Sequence, residues 1–342
     1  MIRSAAVRVQ DKSGVAEARR LCLSFAESLG WGETDRGNAA IVATELASNL
    51  LKHARDGVLA LTARSDGGHG RLDLLAVDQG PGMRDLESCL RDGFSTAGSP
   101  GTGLGAVARL SDRFDVTTSE QGTVVAAEIE RGAPSASPRL NVSGLVLPKE
   151  GEESSGDGWE CQMRRGALSL LVCDGIGHGH YANEATRAAV QAFRGRQWES
   201  PKEALGDIDV MLRPTRGAAA AVAMVDPAAN KVRFCGVGNI SATIVSAGDS
   251  RHLVSRSGIL GHAPGRTPLA LAGQARSAMT EFEYPWTADS ALVLHSDGVG
   301  TRWRPDAWPG LWNRLPGNVA GTIFRDFGRG NDDVVVVVVR QE

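Results

Sequence analysis

The feature that most constrains this chain is a break in its middle. Residues 131–148 read RGAPSASPRLNVSGLVLP, and Pro, Ser, Ala and Gly dominate the first half of that stretch, as they do in linkers. At 342 residues and roughly 150 per domain, the break predicts two cores: a domain over 1–132, a linker over 133–145 and a domain over 146–342. No repeat relates the two sides, and their patterning differs.

On the N-terminal side, alternation from Ala5 to Val9 predicts a strand. Apolar positions at helical spacing predict a helix from Ser13 to Leu29, stopped by Gly30, and a second from Thr34 or Asp35 through IVATELASNLLKHA. Strands follow over 58–64 and 72–77, then a Gly-rich loop, a helix over 104–110, and strands over 114–119 and 123–130. Helices beside antiparallel strands, without alternating βαβ units, make an α/β sandwich. On the C-terminal side short strands recur over 167–173, 219–225, 232–236, 242–246, 291–295 and 334–339, with a long helix from about Tyr181. That pattern predicts two stacked sheets flanked by helices.

Composition removes several classes of function. Lys and Arg number 37 against 40 Asp and Glu, both signs interspersed for a net charge of −3, which excludes a polycationic nucleic-acid binder. Five cysteines without a CxxC pair fit neither a disulfide framework nor a zinc ribbon. The opening MIRSAAVRVQDKSG lacks an apolar signal core, and no run approaches the ~20 apolar residues of a spanning helix. The expectation is a cytoplasmic protein with no membrane partner.

Three pieces of the N-terminal side carry chemistry. Glu45 and Asn49 stand four apart on the second helix and share a face, with Lys52 and His53 extending it; the pair suits a general base and a Mg²⁺ ligand, or simply a solvated face. The strand over 72–77 ends in Asp78-Gln79-Gly80-Pro81-Gly82, where a carboxylate can accept from an adenine amino group and glycines let backbone approach a ligand, or where a Pro-Gly turn sits. Gly101-Thr102-Gly103-Leu104-Gly105 opens a helix, and helix N-termini bind phosphate. No strand precedes it and no G-x-x-x-x-G-K-[ST] loop exists, so Rossmann and P-loop readings are rejected.

In this order, ELASNLLKHA, DQGPGM and GTGLGAVARLSDRF resemble the Bergerat-type ATPase domain, in its RsbT-like serine-kinase branch, over about residues 5–130. The resemblance implies a Bergerat-fold α/β sandwich binding ATP with Mg²⁺. It implies Glu45 as general base and Asn49 as Mg²⁺ holder. Asp78, Gly80, Gly82, Gly101, Thr102, Gly103, Gly105 and Thr123 would contact the nucleotide.

On the C-terminal side Asp-Gly recurs at or beside strand ends, at Asp157-Gly158, Asp174-Gly175 and Asp297-Gly298, and Asp332-Asp333 directly precedes the strand over 334–339. One Asp-Gly is a turn; four acidic strand ends can converge on hard cations such as Mg²⁺ or Mn²⁺. CDGIGHG, GVGN, SDGV and NDDV together resemble the SpoIIE/RsbX branch of PPM-type protein phosphatases, from about residue 140 onward. That resemblance implies a PPM-type α-β-β-α sandwich with two Mn²⁺ or Mg²⁺ ions. Asp174 would bridge them, with the Gly175 carbonyl, Asp157, Asp297 and Asp332 completing the shells; Asp333 is the poorer ligand. His178 is either a proton donor or solvated, and His180 is solvated. Residues 194–216 are short where many family members carry regulatory helices, and 302–330 carry no motif.

Both resemblances together imply a bifunctional switch, a serine/threonine kinase and an opposing phosphatase, acting on a STAS-domain (anti-anti-sigma, RsbS- or RsbR-like) protein in bacterial stress signalling. The alternative is a phosphatase whose nucleotide domain is a non-catalytic binding or gating module, with a sigma factor or another regulator as partner. A homodimer is left open.

Overall fold

In the computed structural model the described residues are 2–66, 68–90, 103–132, 140–246, 249–261 and 279–341. They form two compact units. The first takes residues from 1–134, 143–145 and 313–326, the second from 135–142, 146–312 and 327–342. Compactness thus departs from chain order in two places. A strand, Leu140–Leu147, begins inside the stretch expected as linker, and residues 313–326, on the C-terminal side of the sequence, belong to the first unit.

The first unit is built on one antiparallel sheet, ordered β1 (Ile2–Arg8), β2 (Val58–Asp66), β3 (His69–Val77), β5 (Gly122–Arg131), β4 (Arg113–Ser119). Helices α1 (Lys12–Ser28), α2 (Glu33–His53), the short α3 (Leu86–Leu90) and α4 (Gly103–Leu110) complete its N-terminal part. Asp11 starts α1: its Oδ1 accepts from the N–H of Ser13 at 2.7 Å and of Gly14 at 3.2 Å. Strand alternation turns Leu59, Leu61, Leu72, Leu74, Ala127 and Ile129 toward Phe25, Ala43, Leu46 and Leu50 of α1 and α2.

The opposite set of side chains, including Leu75, Val77, Val124 and Ala126, receives a helix over Pro316–Phe327. Two glycines allow its approach. A Cβ at Gly321 would stand 2.6 Å from Val124 Cγ1, and one at Gly317 3.3 Å from Ala126 Cβ. Asp115 accepts from the Arg314 guanidinium at 2.9 Å and the Leu315 N–H at 3.1 Å, and Asn318 donates to the Thr117 hydroxyl at 3.0 Å.

The second unit carries two sheets. One is ordered β13 (Ser255–Arg256), β10 (Lys231–Val237), β9 (Ala218–Asp226), β8 (Ala167–Gly175), β7 (Asp157–Arg164), with β14 (Phe282–Pro285) also on β10. The other is ordered β12 (Asp249–His252), β11 (Ser241–Ser246), β15 (Ala291–His295), β16 (Val334–Gln341), β6 (Leu140–Leu147). Helices α5 (His180–Arg194) and α6 (Pro201–Leu212) cover the first of them, packing Ala185, Ala189, Phe193, Leu205 and Ile208 on Leu171, Cys173, Ala220 and Val222. The alternate residues Leu170, Val172, Ala221 and Ala223 are equally buried, so this sheet is covered on both faces. The segment 194–216 holds one helix, α6, begun by the Ser200 hydroxyl accepting from the Glu203 N–H at 3.0 Å with Pro201 in the first turn.

Among the described residues no helix is long and apolar enough to cross a membrane.

Candidate functional sites

In the first unit, Glu45 and Asn49 lie one turn apart on α2 and are half-buried. The N-terminus of α4 comes up beside Asn49: among the described residues, a Cβ at Gly103 would meet nothing nearer than Asn49 Oδ1, at 4.0 Å. Gly105 lies two residues further along α4 and is buried; Gly101 and Thr102 fall outside the described residues. Asp78 leaves β3 with its N–H bonded to the Thr123 carbonyl at 2.9 Å. The Gly80 N–H donates to its Oδ1 at 2.6 Å. Burial raises the Asp78 carboxyl above its ordinary value, against the lowering pull of the Gly80 and Thr123 backbone and of Arg325 and His53. Gly82 has φ +72, and a Cβ there would stand 2.1 Å from the Ser119 carbonyl oxygen, so only glycine fits this turn. Thr123 is buried and shares a hydrogen bond with Thr118 at 3.1 Å, while Thr118 accepts from the Met83 N–H at 2.8 Å. A carboxylate at a strand end, an acid–amide pair on a helix and a helix N-terminus beside that pair's amide fit a nucleotide with its cation.

In the second unit, the antiparallel register pairs Asp157, at the start of β7, with Asp174, at the end of β8. Asp297 follows β15, and Asp332 and Asp333 precede β16. The exposed Asn239 ties two of these together, donating to Asp174 Oδ2 at 3.1 Å and to Asp297 Oδ2 at 2.8 Å. Ser296, fully buried, donates to Asp157 Oδ2 at 2.5 Å and accepts from the Val335 N–H at 3.2 Å. A Cβ at Gly175 would lie 2.2 Å from the Ala182 carbonyl, so glycine is what lets α5 start against the end of β8. Asp333 is spent on backbone, accepting from the N–H of Lys149 at 2.8 Å and of Gly156 at 2.9 Å. Asp332 accepts from the adjacent Asp333 N–H at 2.9 Å. His178 pairs with Glu152, Nδ1 to Oε1, at 2.6 Å.

The electrostatics of this cluster are those of crowded acids. Burial, then the neighbouring Asp297, push Asp174 up to about 7. Burial, then Asp174, push Asp157 well above the ordinary carboxylate range, opposed by the Ser296 hydroxyl. Among the described residues no three acidic, histidine or cysteine side chains stand in a closed metal-ligand arrangement. The donor set is all hard oxygen, and the like charges that raise one another's pKa are what a divalent cation relieves, so the residues fit Mg²⁺ or Mn²⁺. Asn239 and Ser296 were not among the side chains expected to act, although GVGN and SDGV contain them.

The chain thus joins a sheet-and-helix unit, with a strand-end carboxylate at Asp78 and an acid–amide pair on α2, to a two-sheet unit with acidic strand ends. A family model described as histidine kinase-like ATPase domain matches residues 9–129. The model of stage II sporulation protein E (SpoIIE) matches residues 164–342, over half of the chain, and the chain belongs to that family. Serine/threonine-protein kinase RsbT of Bacillus subtilis (strain 168) is 35% identical over 122 residues, 35% of this chain and 92% of RsbT. Phosphoserine phosphatase RsbX of the same organism is 24% identical over 154 residues, 45% of this chain and 71% of RsbX. A chain solved in work on the bacterial stressosome, described as a modular system adapted to control secondary messenger signaling, is 28% identical with a TM-score of 0.52; the match covers 59% of this chain and all of that one.

Proposed function

We propose that the chain is a cytoplasmic switch protein with two opposed activities, a serine/threonine kinase in residues 1–132 and a metal-dependent phosphoserine/phosphothreonine phosphatase in residues 146–342. Its substrates are STAS-domain proteins of bacterial stress signalling. The observation that carries the reading is the gathering of Asp157, Asp174, Asp297 and Asp332 at one set of strand ends, where burial and neighbouring carboxylates raise the pKa of Asp157 and Asp174. The kinase half rests on Glu45, on Asn49 beside the start of α4 and on the likeness to RsbT.

In the kinase direction Glu45 accepts the proton of the substrate hydroxyl as its oxygen attacks the γ-phosphorus of ATP and the bond to ADP breaks. Asn49 holds the nucleotide's cation, and the backbone around Gly103 and Gly105 receives the phosphates. In the other direction a pair of divalent cations, when bound, would supply Lewis-acid charge at the phosphoryl oxygens. Asp174 with the Gly175 carbonyl, Asp157, Asp297 and Asp332 would hold that pair, with Asn239 and Ser296 fixing the carboxylates, and water replaces the serine or threonine oxygen on phosphorus. His178, oriented by Glu152, is the side chain we assign to return a proton to the leaving oxygen.

The test mixes the full chain, a STAS-domain protein and radiolabelled ATP. Label transferred to the STAS protein should disappear with Glu45→Gln and should persist longer with Asp174→Ala. Unchanged labelling in both variants refutes the opposed-enzyme reading. A second reading, in which the first unit gates the phosphatase by nucleotide without phosphotransfer, is favoured by the hydrogen bonds that Gln79 and Gly122 make to Arg325, far outside the ATPase match. It predicts ATP affinity without label transfer and an ATP-dependent phosphatase rate.

A further inference from the structure

Two hydrogen bonds from the turns around Asp78 converge on one residue that no nucleotide motif contains. Arg325, near the end of the helix Pro316–Phe327, keeps only 3% of its side chain exposed. Its Nη1 donates to the Gly122 carbonyl at 3.1 Å, and its own carbonyl accepts from Gln79 Nε2 at 3.3 Å. Asp326 takes the other edge of the guanidinium in a fork, at 2.7 Å from Nε and 3.1 Å from Nη2, which fixes the plane of the group. The two turns it grips are the ones that carry the base-reading carboxylate. Gln79 directly follows Asp78. Gly122 directly precedes Thr123, whose carbonyl receives the Asp78 N–H, and a Cβ at Gly122 would stand 1.9 Å from the Asp78 carbonyl oxygen. A carboxylate selects an exocyclic amino group over a ring carbonyl only while it is held in place, since a mobile acceptor turns away from a mismatched partner at little cost.

We propose that Arg325 is a positioning residue of the nucleotide site, clamping the 78–80 turn against the 122–123 turn so that Asp78 is fixed toward an adenine amino group. This rests on the ATP-binding reading above. Arg325 lies outside residues 9–129 and reaches the site through a helix from the far end of the sequence. Removing its side chain leaves the Gly122 carbonyl without its charged donor and opens the clamp on the 122–123 side, while the Gln79 bond to the Arg325 main chain remains.

The experiment measures Mg²⁺-ATP and Mg²⁺-GTP affinity by titration calorimetry on the full chain and on Arg325→Met, Arg325→Lys and Gln79→Leu, each checked by thermal melting. The wild-type chain should prefer ATP. Arg325→Met should lose about tenfold in ATP affinity with little change for GTP, so that the preference narrows. Arg325→Lys should recover part of it. Gln79→Leu, at an exposed position, should lose about threefold in the same direction, and it decides the matter if Arg325→Met does not fold. An unchanged ATP-to-GTP ratio in folded variants, including an equal loss for both nucleotides, overturns the positioning role while ATP binding stands. A wild-type chain that binds neither nucleotide overturns both readings together.

Discussion

Each unit buries a group of carboxylates on neighbouring strands, and the two groups are treated in opposite ways. In the first unit Asp73, Glu128 and Glu130 surround Arg71, with Nε 2.5 Å from Asp73, Nη2 2.6 Å from Glu128 and Nη1 3.5 Å from Glu130. Arg64 and Arg113 add cations at 3.8 Å from Asp73 and 3.7 Å from Glu128. Burial works against the charge of Arg71, but Asp73 and Glu128 outweigh it and hold its pKa above the ordinary value; burial raises Glu128, and Arg71 opposes that rise. In the second unit, among the described residues, no arginine or lysine is ion-paired with Asp157, Asp174, Asp297, Asp332 or Asp333, and amide, hydroxyl and backbone donors are what the acids have instead. The first group is a joint between strands, its charge already neutralised. The second has no such cation of its own among the described residues, which is the charge a bound divalent ion would supply.

Neutralising one acid should therefore act differently in the two places, and the largest effect is chemical. Asp174→Asn should bring dephosphorylation of a phosphoserine substrate to background while leaving the metal-free melting temperature unchanged or higher; a variant that keeps activity breaks the comparison. Glu45→Gln should lower phosphotransfer by about 10²–10⁴-fold, the range of a general base, with the phosphatase rate of the same preparation unmoved. Arg71→Met is the mirror of Asp174→Asn. It strands buried carboxylates and should cost about 3–5 kcal/mol in denaturant unfolding of the first unit. Asn239→Ala should weaken Mg²⁺ or Mn²⁺ binding by about 10–100-fold in calorimetry, as loss of a group orienting metal ligands does.

The smallest effect is on pH. Asp157 and Asp174 are raised in the folded chain, Asp174 from 3.8 to about 7. The folded state then holds protons that the unfolded state has released across that window, so metal-free stability is greatest at its acid end and falls as pH rises through it. Excess Mg²⁺ should cancel the fall, because a cation takes the place of the protons. A metal-free melting temperature that is flat across the window removes the electrostatic basis of the comparison.

Where side-chain period and burial agreed, the elements were legible. α1, α2, α4 and the strands from β1 to β5 follow their apolar spacing, and Asp-Gly beside apolar runs pointed to the strand ends of the second unit. β6 was hidden by the linker composition beside it. The helix Pro316–Phe327, PGNVAGTIFRDF, was hidden by a proline and two glycines that read as breakers; those glycines are what allow its approach to β3 and β5. The supporting side chains of the sites were illegible for a different reason. Ser296 meets Asp157 across 139 residues and Arg325 meets Gly122 across 203, and no local pattern encodes a hydrogen bond at that distance.

The helix over Pro316–Phe327 also sets a timetable. At a synthesis rate of about 5–20 residues per second, the sheet of the first unit is complete roughly ten to forty seconds before the helix that covers its Leu75 and Val124 face has been made. During that interval a nascent chain carries a naked apolar wall, a natural landing place for a chaperone. The turns around Asp78 acquire their contacts with Arg325 only after the ribosome has already translated most of the aspartate-bearing unit.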